Sequence, residues 1–139
     1  MTIPITVLMS VYNGERFIKE SILSVLNQSF TEFEFIIIND GSTDNSINII
    51  REFSFIDKRI NIINKQNTGL TNSLNKGIEI ANGKWIARVD DDDVCDPKRL
   101  EIQYSYAISK KSTVLIGSDF ATIDEKGSQL KIYKYPSDH

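Results

Sequence analysis

The sequence predicts an α/β fold, a three-layer sandwich in which helices cover both faces of a mostly parallel central sheet. Two observations carry this reading. Apolar runs of strand length alternate with amphipathic stretches of helical period almost from end to end. Strand–helix–strand repetition demands right-handed crossovers and parallel pairing. In addition, the run Phe35-Ile36-Ile37-Ile38 has no polar alternation, the mark of a central strand covered on both faces.

The elements follow in order. Ile3–Val11 reads as the first strand. Glu15–Leu26 reads as a helix, with Ile18, Ile22, Val25 and Leu26 on one face at spacings of three and four. Phe33–Asn39 is the central strand. Asp44–Phe53 repeats the helical stripe with Ile47, Ile50 and Phe53, and Ser42 or Thr43 is expected to cap it. Ile60–Ile63 is a third strand. Leu70–Ala81 is a third helix with Leu70, Leu74, Ile78 and Ala81 inward, and Asn82-Gly83 is expected to stop it in the left-handed conformation. Lys84–Val89 is a fourth strand. Asp96-Pro97 opens a fourth helix, with Leu100, Tyr104, Ala107 and Ile108 inward. Thr113–Gly117 is expected as a fifth strand. Asp124-Glu125-Lys126-Gly127 then reads as a turn between two short strands, and residues 135–139 as a tail ending in the lone His139.

With 139 residues, 40% hydrophobic and 25% charged, the chain has the composition of one ordinary globular domain, expected to span 1–139. A net charge of −3 argues against a nucleic-acid binder, which would carry a basic face. It leaves room for a nucleotide ligand, whose phosphates a metal ion or a helix N-terminus can hold. Cys95 is the only cysteine and cannot pair internally. The N-terminus lacks a signal-peptide pattern, and no apolar run approaches the roughly 20 residues that span a bilayer. The expectation is a cytoplasmic protein without a transmembrane segment.

In an open parallel sheet, ligands bind beyond the carboxyl ends of the strands. Three strands here end in unusual polar chemistry: Val11-Tyr12-Asn13-Gly14-Glu15, Asn39-Asp40-Gly41-Ser42-Thr43-Asp44, and Val89 followed by Asp90, Asp91, Asp92 and Asp93. Four adjacent carboxylates repel one another, and a divalent cation is the cheapest way to keep them together. Hard oxygen ligands suit Mg²⁺ or Mn²⁺, which commonly take one or two carboxylates plus substrate phosphates. The plain alternative is a solvated acidic turn. An EF-hand is excluded, because Val94 and Cys95 fall where an oxygen ligand and the turn glycine belong. Helix capping explains Ser42-Thr43-Asp44 but leaves Asp40 unexplained. Tyr12 suits either the core or stacking on a base. Asn67-Thr68-Gly69 gives another glycine-bearing helix start, and Arg88, read as buried in an apolar strand, needs an aspartate or a phosphate as partner.

In this order the segments ITVLMSVYNGERFIKESILSVLNQSF, FEFIIINDGSTDNS and NTGLTNSLNKGIEIANGKWIARVDDDDVCDPKRLEIQ resemble the family 2 glycosyltransferases, covering most of residues 3 to 103. The resemblance implies the GT-A fold, a Rossmann-type sandwich, and inverting transfer of a sugar from a nucleotide donor, commonly a UDP-sugar, to an acceptor hydroxyl. It implies that Tyr12 and Glu15 lie against base and ribose, with Asn13 and Asn67 beside them, and that Asp40 accepts from the uracil N–H. Asp90, Asp91 and Asp92 would form the D-x-D element. Asp92 would be the metal ligand, Asp90 its second candidate, and Asp91 or Asp90 would reach the ribose. The implied partners are a nucleotide-sugar and a saccharide or lipid-linked acceptor, in polysaccharide biosynthesis, with peripheral association to membrane assembly machinery.

Two departures stand out. Relatives often carry an arginine where this chain has Leu74, so Arg88 is expected to take part of that role. The family's catalytic base lies well downstream of the D-x-D element, and it is expected beyond His139, with neither Asp119 nor Asp124 assigned. The rival readings are a non-catalytic nucleotide-sugar-binding module and a nucleotidylyltransferase-like domain. The latter should show a glycine-rich basic loop after the first strand, where this chain has Tyr12-Asn13-Gly14-Glu15.

Overall fold

A computed structural model describes residues 3–110 and 112–135. It divides into two compact units, Met1–Ile102 and Gln103–His139, each taken by itself below.

The first unit holds four strands, β1 (Ile5–Val11), β2 (Phe33–Asp40), β3 (Ile60–Lys65) and β4 (Trp85–Arg88). They form one sheet in the order β3-β2-β1-β4, and every pair is parallel. The helices α1 (Ile18–Leu26), α2 (Ser46–Ile56) and α3 (Leu70–Ile80) make the crossovers. α2 packs on α1, β2 and β3, whereas α3 packs on β1 and β2. The chain steps outward from β1 to β3 and then returns past β1 to β4, so the order reverses between β1 and β4. That switch point, at the carboxyl ends of the strands, is where such sheets open a crevice.

Strand alternation divides the core. Leu8, Ile36 and Ile38 pack with Ile63, Leu74, Ile80 and Ala81 on the α3 side. Val7, Met9, Phe35 and Ile37 are fully buried on the other side, as are Ile18, Ile22 and Ile50 of α1 and α2. Every residue of β2 is buried, as its unalternating sequence predicts. Each such side chain contributes about 1.5–3 kcal/mol, so this core, rather than local propensity, fixes the helices against the sheet.

Several expectations are corrected. In α3, Leu70 and Ile78 are about half exposed, and the inward residues are the small Ser73 and Gly77 beside Leu74. A Cβ on Gly77 would lie 2.2 Å from Leu8 Cδ1; the helix sits so close to the sheet that small residues replace the apolar stripe. α3 also ends differently. Ala81 turns extended, and Gly83 is not among the left-handed residues. Gly83 is required by space instead, since a Cβ there would meet Thr6 N at 2.2 Å. The turn is held by a buried carboxylate: Glu34 accepts from Thr6 Oγ1 at 2.6 Å and from the Asn82 N–H at 2.6 Å, while the Gly83 N–H donates to Thr6 Oγ1 at 2.9 Å. Burial alone would raise the Glu34 pKa, but these donors together hold it below the ordinary value.

α4 (Arg99–Ser109) begins in the first unit and continues into the second. Asp96 Oδ1 caps the turn before it through the Lys98 N–H at 2.8 Å. Leu100 and Ala107 are buried as expected, but Ile108 is exposed. The second unit contains an antiparallel hairpin of β5 (Phe120–Ile123) and β6 (Gln129–Tyr133). The Asp124–Gly127 turn joins them as read from the sequence, with Gly127 at φ 78. Thr113–Gly117 forms no strand, and Val114 and Leu115 are exposed. An apolar run becomes a strand only when a neighbour takes its backbone hydrogen bonds, and no ladder among the described residues does so here. The tail at Pro136–His139, with the lone histidine, lies outside the described residues.

Candidate functional site

Parallel pairing brings the loops after all four strands of the first unit to one rim, and hydrogen bonds join them. Asn13, in the left-handed region at φ 56, donates its N–H to Ser42 Oγ at 3.1 Å. Its Oδ1 accepts from the Thr43 N–H at 2.8 Å. The Gly14 N–H donates to Ser46 Oγ at 2.9 Å and the Glu15 N–H to Asp44 Oδ2 at 3.0 Å. Glu15 Oε2 accepts from the Asn45 N–H at 2.8 Å. Asn13 and Glu15 thus spend their side chains on the loop after β2, and Ser42 and Thr43 bind the loop after β1 instead of capping α2. Asp44 and Ser46 complete this bridge.

Asp40 joins β2 to the loop after β3. Its side chain is almost fully buried. It accepts from Lys65 Nζ, from the Thr68 N–H at 2.9 Å and from the Gly69 N–H at 2.9 Å. Gly69 lies at φ 90, a conformation open to glycine and rare for other residues. Burial works against ionisation, yet Lys65 and the Thr68 N–H outweigh it and hold the Asp40 pKa below its ordinary value. Gly41, at φ 74, lets the β2 loop cross the β3 loop; a Cβ there would lie 2.7 Å from Asn67 N. Beside this crossing a cleft of about 550 Å³ opens, bordered by Asn39, Arg51, Asn64, Gln66 and Asn67 among others.

The aspartate run closes the rim on the β4 side. Asp91 is half-buried beneath the β1 loop, where a Cβ on Gly14 would lie 2.3 Å from its Oδ2. Its carbonyl accepts from Ser21 Oγ at 2.8 Å. Burial and the charges of Asp92 and Asp90 push its pKa up, as burial and Asp90 do for Asp93. Asp90 gives both oxygens to Arg88 Nη2, at 2.8 and 2.9 Å. Arg88 is exposed rather than buried, because β4 is an edge strand, but its expected aspartate partner is present. Asp92 is exposed and receives no hydrogen bond among the described residues. Tyr12 stands about half exposed, and Asn67 is exposed on the rim.

No group of three or more His, Cys, Asp or Glu side chains among the described residues is arranged to hold a metal. What the rim offers is crowded negative charge with Asp92 uncommitted. That donor set fits a hard cation that takes one carboxylate and completes its shell with water and ligand oxygens. Among residues the sequence reading passed over, Lys65 is the most informative. The parallel register places it directly beside Asp40, a relation visible only once β3 is known to run on to Lys65.

The family model described as Glycosyl transferase family 2 matches residues 6–136. An uncharacterized glycosyltransferase of Haemophilus influenzae is 42% identical over 144 residues, covering 97% of this chain and 45% of that one. An uncharacterized glycosyltransferase of Methanocaldococcus jannaschii is 42% identical over 133 residues, covering 94% and 46%. The chain thus spans less than half the length of these curated relatives. Among solved structures, S. aureus TarS 1-349 in complex with UDP-GlcNAc superposes with a TM-score of 0.71 at 25% identity, covering 76% of this chain and 31% of that one. The mannosyltransferase PcManGT from Pyrobaculum calidifontis, in complex with GDP-Man and Mn²⁺, gives a TM-score of 0.65 at 20% identity, covering 73% and 31%.

Proposed function

Since this chain belongs to glycosyl transferase family 2 and has its GT-A fold, we propose that it forms the donor site of a metal-assisted, inverting glycosyltransferase that takes a UDP-sugar. The observation that carries this reading is the rim itself. A buried ionised acceptor (Asp40), an exposed aromatic ring (Tyr12) and an uncommitted carboxylate (Asp92) stand on loops tied together by hydrogen bonds.

In this reading Tyr12 stacks on the base and Asp40 accepts from a ring N–H. Asn13 and Glu15 act mainly by fixing the loop that carries Tyr12, and Asn67 borders the base. Asp91 reaches the ribose. Arg88 serves the phosphates, with Asp90 as its counter-charge and as a second carboxylate toward the cation. Asp92 would hold Mn²⁺ or Mg²⁺, which when bound offsets the charge of the departing nucleoside diphosphate. The acceptor oxygen attacks the anomeric carbon, the bond from that carbon to the diphosphate oxygen breaks, and the acceptor proton passes to a base. Neither late carboxylate is assigned that role. Asp119 accepts from the Tyr135 N–H at 2.9 Å, and Asp124 accepts from the Lys126 and Ser128 N–H groups at 2.9 and 2.8 Å. Isothermal calorimetry in Mn²⁺ tests the reading. UDP is expected to bind more tightly than ADP, because adenine has no ring N–H on its pairing edge; equal affinities would remove the base assignment.

A further inference from the structure

Helix α1 carries a polar stripe beside its apolar face. Ser21, Ser24 and Gln28 follow one another at spacings of three and four, which sets them in line along the helix and just past its end. Ser21 is 1% exposed and Gln28 4%, and a buried polar side chain costs stability unless its bonds are made. All three spend those bonds on one segment, the loop after β4 that carries the aspartates. Ser21 Oγ donates to the Asp91 carbonyl at 2.8 Å. The Phe17 carbonyl of its own helix, where a helical serine ordinarily turns, lies farther off at 3.4 Å. The Cys95 N–H donates to Ser24 Oγ at 3.0 Å. Gln28 donates from Nε2 to the Asp96 carbonyl at 2.7 Å and accepts at Oε1 from the Leu100 N–H at 3.0 Å.

The two serines fasten the loop on either side of Asp92, and their spacing sets its shape. Three residues of helix separate them, about 4.5 Å along the axis. The four-residue step from Asp91 to Cys95 would span about 13–14 Å if extended. Held at both ends over the shorter distance, Asp92, Asp93 and Val94 have to bulge away from the helix, and all three are exposed. The Asp93 N–H closes the bend by donating to the Asp90 carbonyl at 3.2 Å. What puts Asp92 on the rim is thus the grip of α1 on its neighbours.

We propose that Ser21 and Ser24 are positioning residues for the cation site. They pinch the loop after β4 so that the Asp92 carboxylate stands ready for Mn²⁺ or Mg²⁺, while Gln28 locks the leg that leads into α4. The proposal rests on the donor-site reading above. A carboxylate on a free loop would have to be ordered when the cation binds, at a cost in affinity that a fastened loop has already met. Groups that orient a metal ligand without touching the metal typically change affinity by about tenfold or more. Tyr12 and Asp40 stand on other loops of the rim, so the pinch acts on the metal-dependent part of nucleotide binding and not on the base.

The test is calorimetric titration of UDP, with and without Mn²⁺, into the wild-type chain and into Ser21→Ala, Ser24→Ala and Ser24→Thr. The quantity read is the ratio of the two affinities, the strengthening due to the cation. Ser21→Ala and Ser24→Ala should each cut that ratio by about threefold or more, the scale of one lost hydrogen bond. In Ser24→Ala the affinity without Mn²⁺ should stay within about twofold of wild type. Ser24→Thr keeps the hydroxyl and should restore most of the ratio. An unchanged ratio in either alanine variant, whatever its melting temperature, would make that serine a support of the fold and overturn the pinch. A wild type that binds UDP with no Mn²⁺ effect would overturn it too, while the contacts to the base stand. If wild type binds no UDP in either condition, the donor-site reading falls and this proposal with it. Should Ser21→Ala unfold, Ser24→Ala decides, since its site is only half-buried and alanine is the better helix former.

Discussion

Asp92 projects from the rim without a donor to hold it, while Asp90 is bound by Arg88 and Asp91 is tucked under Gly14. Three neighbouring residues of one chemical type therefore do three different things, decided by what each can reach. Asp92→Ala should abolish the strengthening of UDP binding by Mn²⁺, measured by titration with and without the metal. The melting temperature should hold or rise, since removing one charge relieves the crowding that pushes the Asp91 pKa up. An unchanged Mn²⁺ effect would move the cation elsewhere. At this scale the sequence disclosed which residues are unusual better than what they do. Asp40 stood out because helix capping left it unexplained, and Tyr12 and the aspartates because they follow strand ends, although each also had a plain structural reading. The work of Asn13 and Glu15 was hidden, because their partners Thr43 and Asn45 lie about thirty positions away in the chain, and meet them only through parallel pairing.

Among the elements, α3 shows how packing overrides a periodic pattern. Its apolar residues suggested a face through Leu70 and Ile78, yet the helix turns Ser73 and Gly77 to the sheet. A sequence reveals which residues are apolar but not how closely two layers approach, and close approach selects for small side chains. Gly77→Ala tests this directly. Helix propensity alone would reward it by about 1 kcal/mol. The new methyl, however, would lie 2.2 Å from Leu8 Cδ1, and Leu8 is itself fully packed among Ile36, Ile38 and Leu74. Overpacking of this kind costs about 1–3 kcal/mol, so the net change should be a lower melting temperature. In a Leu8→Val background the cost of Gly77→Ala should shrink, read as coupling in a double-mutant cycle. The strands were easier to read than the helix faces, because β2 is apolar without interruption. Thr113–Gly117 failed for the complementary reason: a strand is a relation between two segments, and composition describes one.

For the molecule as a whole, the parallel sheet sets both the site and its electrostatics. All four strands of the first unit end at one rim, so buried polar groups gather at the two ends of the strands rather than along them. Glu34 near the amino ends and Asp40 at the carboxyl end of β2 are carboxylates buried in the folded chain and fully supplied with donors. Both have pKa values below the ordinary ones, as do Asp44, whose burial is outweighed by Ser46, and Asp57, held chiefly by Arg59. A group whose pKa falls on folding binds fewer protons in the folded state, so its stabilisation is complete above the unfolded value and is lost as pH drops through the folded one. Asp91 and Asp93, with raised values, act in the opposite sense, but the depressed groups are more numerous and two of them are deeply buried. Stability should therefore fall as pH is lowered from about 6 to about 3. Glu34→Gln isolates one contribution. The amide keeps one acceptor but cannot accept from Thr6, Asn82 Nδ2 and the Asn82 N–H together, so the variant should melt lower than wild type near neutral pH. Having no proton to gain at this position, it should also lose less stability on acidification, and the two melting-temperature curves should converge toward the acid end. Parallel curves over that range would mean that Glu34 has the same pKa in the folded and unfolded chain, the Thr6 and Asn82 donors doing no more than offset its burial.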